Sequence, residues 1–222
     1  MQHSDPALPK PLVDVGGRPI LWHVMSLYAA QGRRRFVLLL GNGAEHLRAF
    51  AATLPPELEV TCLDTGVDTP TGGRVLAAAD RLDGATFHLT YADGVADIDL
   101  AALEGFHFGH DAAATVTVVR PVSQWGMVHL DGDGRVDRFE EKPRLESWVN
   151  GGFFLMESRA IEFIAPGEAL ERRPLEALAA AGELRAFRHD GFWDCMDTYK
   201  DTLLLNELWE RGEAPWRAMV GV

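Results

Sequence analysis

Lysine is scarce in this chain, with three residues against eighteen arginines. Two of the three stand directly before proline: Lys10 in Leu8-Pro9-Lys10-Pro11-Leu12 and Lys142 in Glu140-Glu141-Lys142-Pro143. Arginine fills nearly every other basic position, so the lysines mark places that suit a compact ammonium better than a planar guanidinium fork. A following proline fixes the chain locally. An ammonium held in that way can grip a phosphate as a point charge. Codon bias and chance in two turns would give the same pattern, so the lysines alone do not decide between clamp and accident.

Carboxylates supply the second candidate chemistry. Asp93-Gly94-Val95-Ala96-Asp97 follows an apolar run, Thr86 to Tyr91, that reads as a strand. In open α/β sheets ligands lie beyond the carboxyl ends of the strands, and a carboxylate there suits a hard cation. The competing reading is helix capping, which fits Asp97 and Asp99 better than the earlier Asp93. Asp197, in Trp193-Asp194-Cys195-Met196-Asp197-Thr198, is either the N-cap of the last long helix or a second metal ligand beside Asp93. The segment from Asp64 to Arg74 contains Thr69, Gly72 and Gly73 and joins a strand to a helix. Its backbone N–H groups could face an anion, although it lacks the Gly-Lys-Ser/Thr of a P-loop and a plain surface turn fits as well. Asn150-Gly151-Gly152 opens another apolar run. Paired glycines there imply close approach by a second backbone or a ligand, and an Asn amide offers both donor and acceptor. The eight histidines form no catalytic spacing, and His23 and His107 fall within helical patterns as structural residues.

These residues need a scaffold of alternating strands and helices. Helical patterns cover Pro19–Gln31, Ala44–Thr53, Arg74–Leu82, Leu100–His110, Arg173–Ala181 and Tyr199–Arg211, and strand patterns cover Phe36–Leu40, Leu58–Leu63 and Thr86–Tyr91. The first half is βα repetition, which implies an α/β fold with a mostly parallel central sheet flanked by helices. The second half adds the strands Ala114–Arg120 and Gly152–Met156. It also carries a small antiparallel insertion, Met127–Leu130 and Val136–Glu140 around Asp131-Gly132-Asp133-Gly134. A length of 222 residues fits one domain. Residues 1–110 and 111–222 read as the two halves of that domain.

A net charge of −12 counts against nucleic-acid binding, though local cations or a metal can still hold a phosphorylated small molecule. Cys62 and Cys195 lack metal-ligand spacing and read as reduced thiols of a cytoplasmic protein. The sequence has no signal-peptide pattern and no apolar run long enough to span a bilayer.

Taken together and in order, these motifs resemble those of the sugar-1-phosphate nucleotidyltransferases, and most closely the glucose-1-phosphate cytidylyltransferases. The landmarks run from Pro9-Lys10-Pro11-Leu12 and Gly16-Gly17-Arg18-Pro19 through Asp64-Thr65-Gly66, Thr71-Gly72-Gly73-Arg74 and Asp93-Gly94-Val95-Ala96-Asp97. They continue with Glu141-Lys142-Pro143, Asn150-Gly151-Gly152, Met196-Asp197-Thr198 and Leu208-Trp209-Glu210-Arg211-Gly212. The resemblance implies a Rossmann-like fold, Mg2+ as cofactor, a nucleoside triphosphate and a sugar 1-phosphate as substrates, and a homo-oligomer. It implies that Lys10 and Asp93 are catalytic, with Lys10, Thr69, Gly72, Gly73, Arg74 and Ala92 lining the nucleotide. Glu141, Lys142, Asn150 and Gly151 would bind the sugar phosphate, and Asp93 and Asp197 would hold the metal. CTP and glucose 1-phosphate are the implied pair, with nucleotidyl transfer giving NDP-sugar and pyrophosphate. Ala92 departs from the glycine that relatives carry before the metal-binding aspartate.

A larger departure lies at the N-terminus. The family places a strand and a Gly-Gly-x-Gly-Thr-Arg loop ahead of the Lys-Pro motif, and here only Met1 to Pro9 precede Lys10. The expected consequence is two strands with unpaired backbone and a gap in the core. A late start or truncation, a catalytically impaired homologue that keeps a binding role, and another segment or subunit filling the gap are the competing accounts. A metal-dependent glycosyltransferase is a further reading, disfavoured because no Asp-x-Asp adjoins the central strand.

Overall fold

A computed structural model describes residues 8–82 and 84–220. A short 3-10 turn, Lys10–Leu12, leads into β1 (Asp14–Val15), β2 (Arg18–Pro19), α1 (Ile20–Ala30), β3 (Arg35–Leu40), α2 (Ala44–Ala51), β4 (Glu59–Asp64) and α3 (Thr71–Ala77). Next come β5 (Phe87–Leu89), β6 (Gly94–Ala96), α4 (Leu100–His107) and β7 (Ala114–Val119). The second half holds β8 (Met127–Leu130), β9 (Val136–Glu140), β10 (Val149–Asn150), β11 (Phe154–Met156), α5 (Arg173–Ala180), β12 (Leu184–Arg188), β13 (Trp193–Cys195) and α6 (Tyr199–Glu210).

The α/β expectation holds, with a mixture of strand directions. β3 and β4 pair in parallel, as do β7 and β12. In the five-stranded sheet, however, β11 runs antiparallel to both β5 and β7, and β10 is antiparallel to β7. The mostly parallel sheet expected from βα repetition is therefore confined to two pairings among the described residues. The reason is that the chain returns from β7 through the β8–β9 hairpin, with no intervening helix, so that β10 and β11 run back along β7. Gly152 adopts φ +73°, which a side chain would disfavour. The β8–β9 hairpin forms as its Asp-Gly turn predicts.

Helix α1 is the centre of the packing. Ile20, Val24, Leu27 and Tyr28 are buried with Val95, Leu103, Phe153, Leu205 and Trp216 in one core cluster. On its other side Leu21 and Met25 meet Leu40 and Leu47. Each such large apolar side chain contributes roughly 1.5–3 kcal/mol on burial. His23, fully buried in α1, hydrogen-bonds Val15 O at 2.8 Å through Nε2 and accepts from the Trp216 indole through Nδ1. Burial holds its pKa below the usual imidazole value, so it stays neutral and ties β1 and the C-terminal turn to α1. His107 is also buried and hydrogen-bonded to Thr115, so both histidines are structural, as expected.

The anticipated gap is present. Among the described residues β3 pairs only with β4, and β5 only with β11. Both strands line a cavity of about 940 Å3, together with Met25, Tyr28 and Val75. Among the described residues, the Tyr28 hydroxyl and His88 Nδ1, on residues that line this cavity, are buried without a hydrogen-bond partner.

Candidate active site

Two short strands create the site. β6 and β13 pair antiparallel, with Gly94 opposite Cys195. Asp93 directly precedes one strand and Asp197 lies two residues beyond the other, so pairing brings them to the same end. The Met196 amide donates to the Asp93 carbonyl at 2.9 Å and closes that end. Lys10, arriving on its 3-10 turn, then meets both carboxylates: Nζ lies 2.7 Å from Asp93 Oδ2 and 2.7 Å from Asp197 Oδ1. Partial burial pulls the Lys10 pKa down, but the hydrogen bonds it donates to Asp197 and Asp93, and their charges, outweigh it and the net shift is upward. The same contact, aided by the Cys195 thiol, holds Asp197 below the usual carboxylate range.

The capping alternatives are settled by the geometry. Thr198 caps α6 and forms a capping box with Asp201, which leaves Asp197 free for the site. Asp99 caps α4 by accepting from the Ala102 amide. Asp97, expected to share that task, instead accepts from the Phe192 amide at 2.7 Å and pairs with His189.

The expected sugar-phosphate group is only partly assembled. Asn150 donates through Nδ2 to the Tyr91 hydroxyl at 3.1 Å and accepts the Gly152 amide through Oδ1 at 2.9 Å. One amide hydrogen and one lone pair therefore remain for a ligand. Gly151 is buried, and both its backbone groups are already used: its amide donates to Thr117 O, and its carbonyl accepts from the Trp193 indole at 2.8 Å. The close approach that its lack of a side chain allows is made by protein. Lys142 pairs with its neighbour Glu141 at 3.8 Å and makes no ion pair with Asp93 or Asp197 among the described residues. Its backbone is left-handed, with φ +47°, a conformation unusual for a side chain of this size.

The nucleotide-side segment differs more from expectation. The loop from Asp64 was expected to run to Gly73, with the helix starting at Arg74. Helix α3 in fact begins at Thr71, so Gly72 and Gly73 lie in its first turn. A Cβ at Gly72 would fall 2.6 Å from the Glu168 carbonyl oxygen, and the Gly73 amide donates to that same carbonyl. These glycines let the 168–170 turn lie against the helix, a packing demand that overrides their poor helix propensity. Arg74 is likewise turned inward, donating to Leu40 O at 2.8 Å, Thr65 Oγ1 at 2.6 Å and Val67 O at 3.1 Å. Thr69 donates to Thr65 O. Both therefore shape the loop. Ala92 packs at the edge of the cluster formed by Leu21, Met25, Leu40 and Leu47.

Asp93 and Asp197 are the residues here that could hold a metal. Their oxygens already converge on a cation, the Lys10 ammonium, and two hard carboxylate donors suit Mg2+, which keeps several waters and completes its shell with substrate phosphates. The described residues contain no cluster of three or more ligand-type side chains, and none is required for such a site.

Sequence reasoning missed Tyr91, Glu171 and Asp194. Tyr91 lay inside a strand pattern, and Glu171 was unremarkable in a polar turn. Asp194 is pushed up to about 6, chiefly by burial and then by the nearby Asp201 and Asp197 charges. A β6–β13 pairing would have exposed its role, but three-residue strands carry too little pattern to detect.

A family model described as nucleotidyl transferase matches residues 6–194. A protein of Bacillus subtilis (strain 168) named "Probable glucose-1-phosphate cytidylyltransferase" is 39% identical over 233 residues, covering 95% of this chain and 91% of its own length. A glucose-1-phosphate cytidylyltransferase of Salmonella typhi is 36% identical over 234 residues, covering 94% and 91%. Among solved structures, HddC from Yersinia pseudotuberculosis superposes with a TM-score of 0.72 at 20% identity, covering 93% of this chain and 92% of that one. A UDP-glucose pyrophosphorylase complexed with UDP-glucose gives 0.71 at 12%, covering 93% and 92%. These structural likenesses establish the fold, and the sequence matches establish descent: this chain belongs to the nucleotidyl transferase family, among the sugar-1-phosphate nucleotidyltransferases.

Proposed function

We propose that the protein transfers a cytidylyl group from CTP to glucose 1-phosphate, releasing pyrophosphate and forming CDP-glucose. The observation that carries this reading is the meeting of Lys10, Asp93 and Asp197 at one point, in a chain related to glucose-1-phosphate cytidylyltransferases along nearly its whole length.

In the reaction an oxygen of the sugar phosphate attacks the α-phosphorus of CTP, and the bond from that phosphorus to the bridging oxygen of pyrophosphate breaks. No covalent enzyme intermediate is required. The barrier falls through orientation of the two phosphates and through cations placed where negative charge develops. Asp93 and Asp197 would hold Mg2+, which supplies positive charge to the phosphate oxygens when bound. Lys10 would then turn its ammonium from the carboxylates to the triphosphate. Lys142, on its unusual backbone, would hold the phosphate of glucose 1-phosphate, with Glu141 and Asn150 on sugar hydroxyls and Gly151 beneath them. Thr69, Gly72, Gly73 and Arg74 would form the wall of the nucleotide pocket, with Ala92 near its ribose. Residues 1–110 would thus serve the nucleotide and 111–222 the sugar phosphate.

No helix among the described residues is long and apolar enough to cross a membrane, and a cytoplasmic enzyme is the reading that these substrates favour. Assembly into a homo-oligomer is supported by the β8–β9 hairpin, whose Val128, Leu130, Val136 and Phe139 are all exposed. An isolated two-stranded hairpin is marginal in water. The non-catalytic alternative is less supported, because the ion cluster that the chemistry needs is assembled. Pyrophosphate release from CTP and glucose 1-phosphate, compared with the other nucleoside triphosphates and with mannose 1-phosphate, tests the proposal. Absence of turnover with every pair would overturn it.

A further inference from the structure

A chain of polar side chains joins the start of α3 to the Asn150 turn. Thr71 opens α3 and donates from Oγ1 to Glu171 Oε2 at 2.6 Å, while accepting the Leu170 amide at 2.9 Å. The Tyr91 hydroxyl lies near enough to Glu171 to feel its charge. That hydroxyl in turn receives the Asn150 amide at 3.1 Å. The Tyr91 ring is held independently: it packs edge-on against Phe154, with centroids 6.0 Å apart, and a Cβ at Gly152 would come within 3.0 Å of it. Burial, followed by the Glu171 charge, keeps the phenol protonated.

From this we infer that Tyr91 is a positioning residue for glucose 1-phosphate, fixing the Asn150 amide through its hydroxyl while Phe154 and Gly152 seat its ring. The inference rests on the reading of Asn150 as a sugar ligand. An Asn side chain with both ends tied presents its remaining hydrogen and lone pair in one orientation only. Without Tyr91 the amide would keep its bond to the Gly152 amide but lose the contact that sets its plane. The phenol's hydrogen bond is with Asn150 rather than with the nucleotide loop, so its effect belongs to one substrate.

The test is calorimetric titration of the full chain with glucose 1-phosphate and, separately, with CTP. The variants are Tyr91→Phe, Asn150→Ala and the pair together. Tyr91→Phe keeps the ring and its packing. It is expected to weaken glucose 1-phosphate binding about five- to tenfold, the effect of one hydrogen bond, with CTP binding and melting temperature unchanged. The double variant should bind no more weakly than Asn150→Ala alone, because Tyr91 acts through Asn150. Glu171→Gln should weaken binding less than Tyr91→Phe. Unchanged glucose 1-phosphate affinity in Tyr91→Phe, additive losses in the double variant, or equal losses for both ligands would overturn the inference while leaving the cytidylyltransferase reading intact. Failure of the parent chain to bind glucose 1-phosphate would overturn both.

Discussion

Asp93 and Asp197 stand at one end of the β6–β13 pair and share a single ammonium, that of Lys10, at 2.7 Å from each. Neither the 3-10 turn that carries Lys10 nor either strand exceeds three residues. The cluster therefore depends on what these short elements rest against. Val95 and Ala96 are fully buried against the core around α1, which fixes the carboxylates from behind.

Lys10→Arg should not replace lysine. A guanidinium can pair with the carboxylates, but its planar fork differs in shape from a compact ammonium between two carboxylates and a triphosphate. Turnover is expected to fall by roughly a hundredfold or more in both Lys10→Arg and Lys10→Ala, the scale of losing a charge-stabilising group. Melting temperature should barely change, because the ion pair is solvent-exposed and worth about 1 kcal/mol or less. Steady-state pyrophosphate release and thermal melts on the same preparations check both statements.

Asp194 gives the chain a pH signature. Its folded pKa of about 6 stands above the unfolded value of 3.8. Between those values the folded state holds the extra proton, so stability from this group is greatest at low pH and is lost as pH rises through the window from about 4 to 6. Asp194→Asn keeps an oxygen that can accept the Cys195 amide. The variant should therefore remove this loss and melt higher than the parent at pH 7.5. Urea unfolding at pH 4.5 and 7.5 in chelator reads the difference. A parent and variant with parallel pH profiles would contradict the assignment.

Glycine to alanine should act in opposite directions at two helical positions. Gly72 lies in α3, where a methyl would meet the Glu168 carbonyl at 2.6 Å. Overpacking against backbone costs about 1–3 kcal/mol, more than the gain in helix propensity of roughly 1 kcal/mol, so Gly72→Ala should destabilise. Gly105 lies in α4 with nothing within 4 Å of a built Cβ. There the propensity gain stands alone, and Gly105→Ala should stabilise by about 0.5–1 kcal/mol. Equilibrium unfolding of the two variants measures both signs.

The exposed apolar face of the β8–β9 hairpin predicts self-association. Val128→Lys combined with Phe139→Glu places charge on that face while retaining the hairpin register, in which the two residues are opposite one another. Light scattering after size exclusion should show the parent as an oligomer and the double variant as a smaller species.

Much of this was legible in the chain. The long helices α1 and α6, the strongly amphipathic α2 and α5 and the β8–β9 hairpin carry clear length, periodic or turn signals. Asp93 and Lys10 stood out by type and by position relative to a strand and a proline, whereas Asp197 was separated from a helix cap only by the family resemblance. What could not be read was short or non-local. The pairing of β6 with β13 joins distant segments of three residues each. The start of α3 at Thr71 was hidden because Gly72 and Gly73 read as loop, while their role is to admit the 168–170 turn. The Asn150–Tyr91 and Thr71–Glu171 hydrogen bonds link positions with no sequence pattern at all. In contrast, the unpaired edges of β3 and β5 and the cavity beside them match what the family resemblance implied.

The decisive measurement is Mg2+-dependent pyrophosphate release from CTP and glucose 1-phosphate by the parent, Asp93→Asn and Asp197→Asn. The account predicts turnover in the parent that needs Mg2+, with a loss on the order of a hundredfold or more in each variant at fixed Mg2+. Parent-like turnover in either variant would contradict it, because the proposal assigns both carboxylates to the one ion.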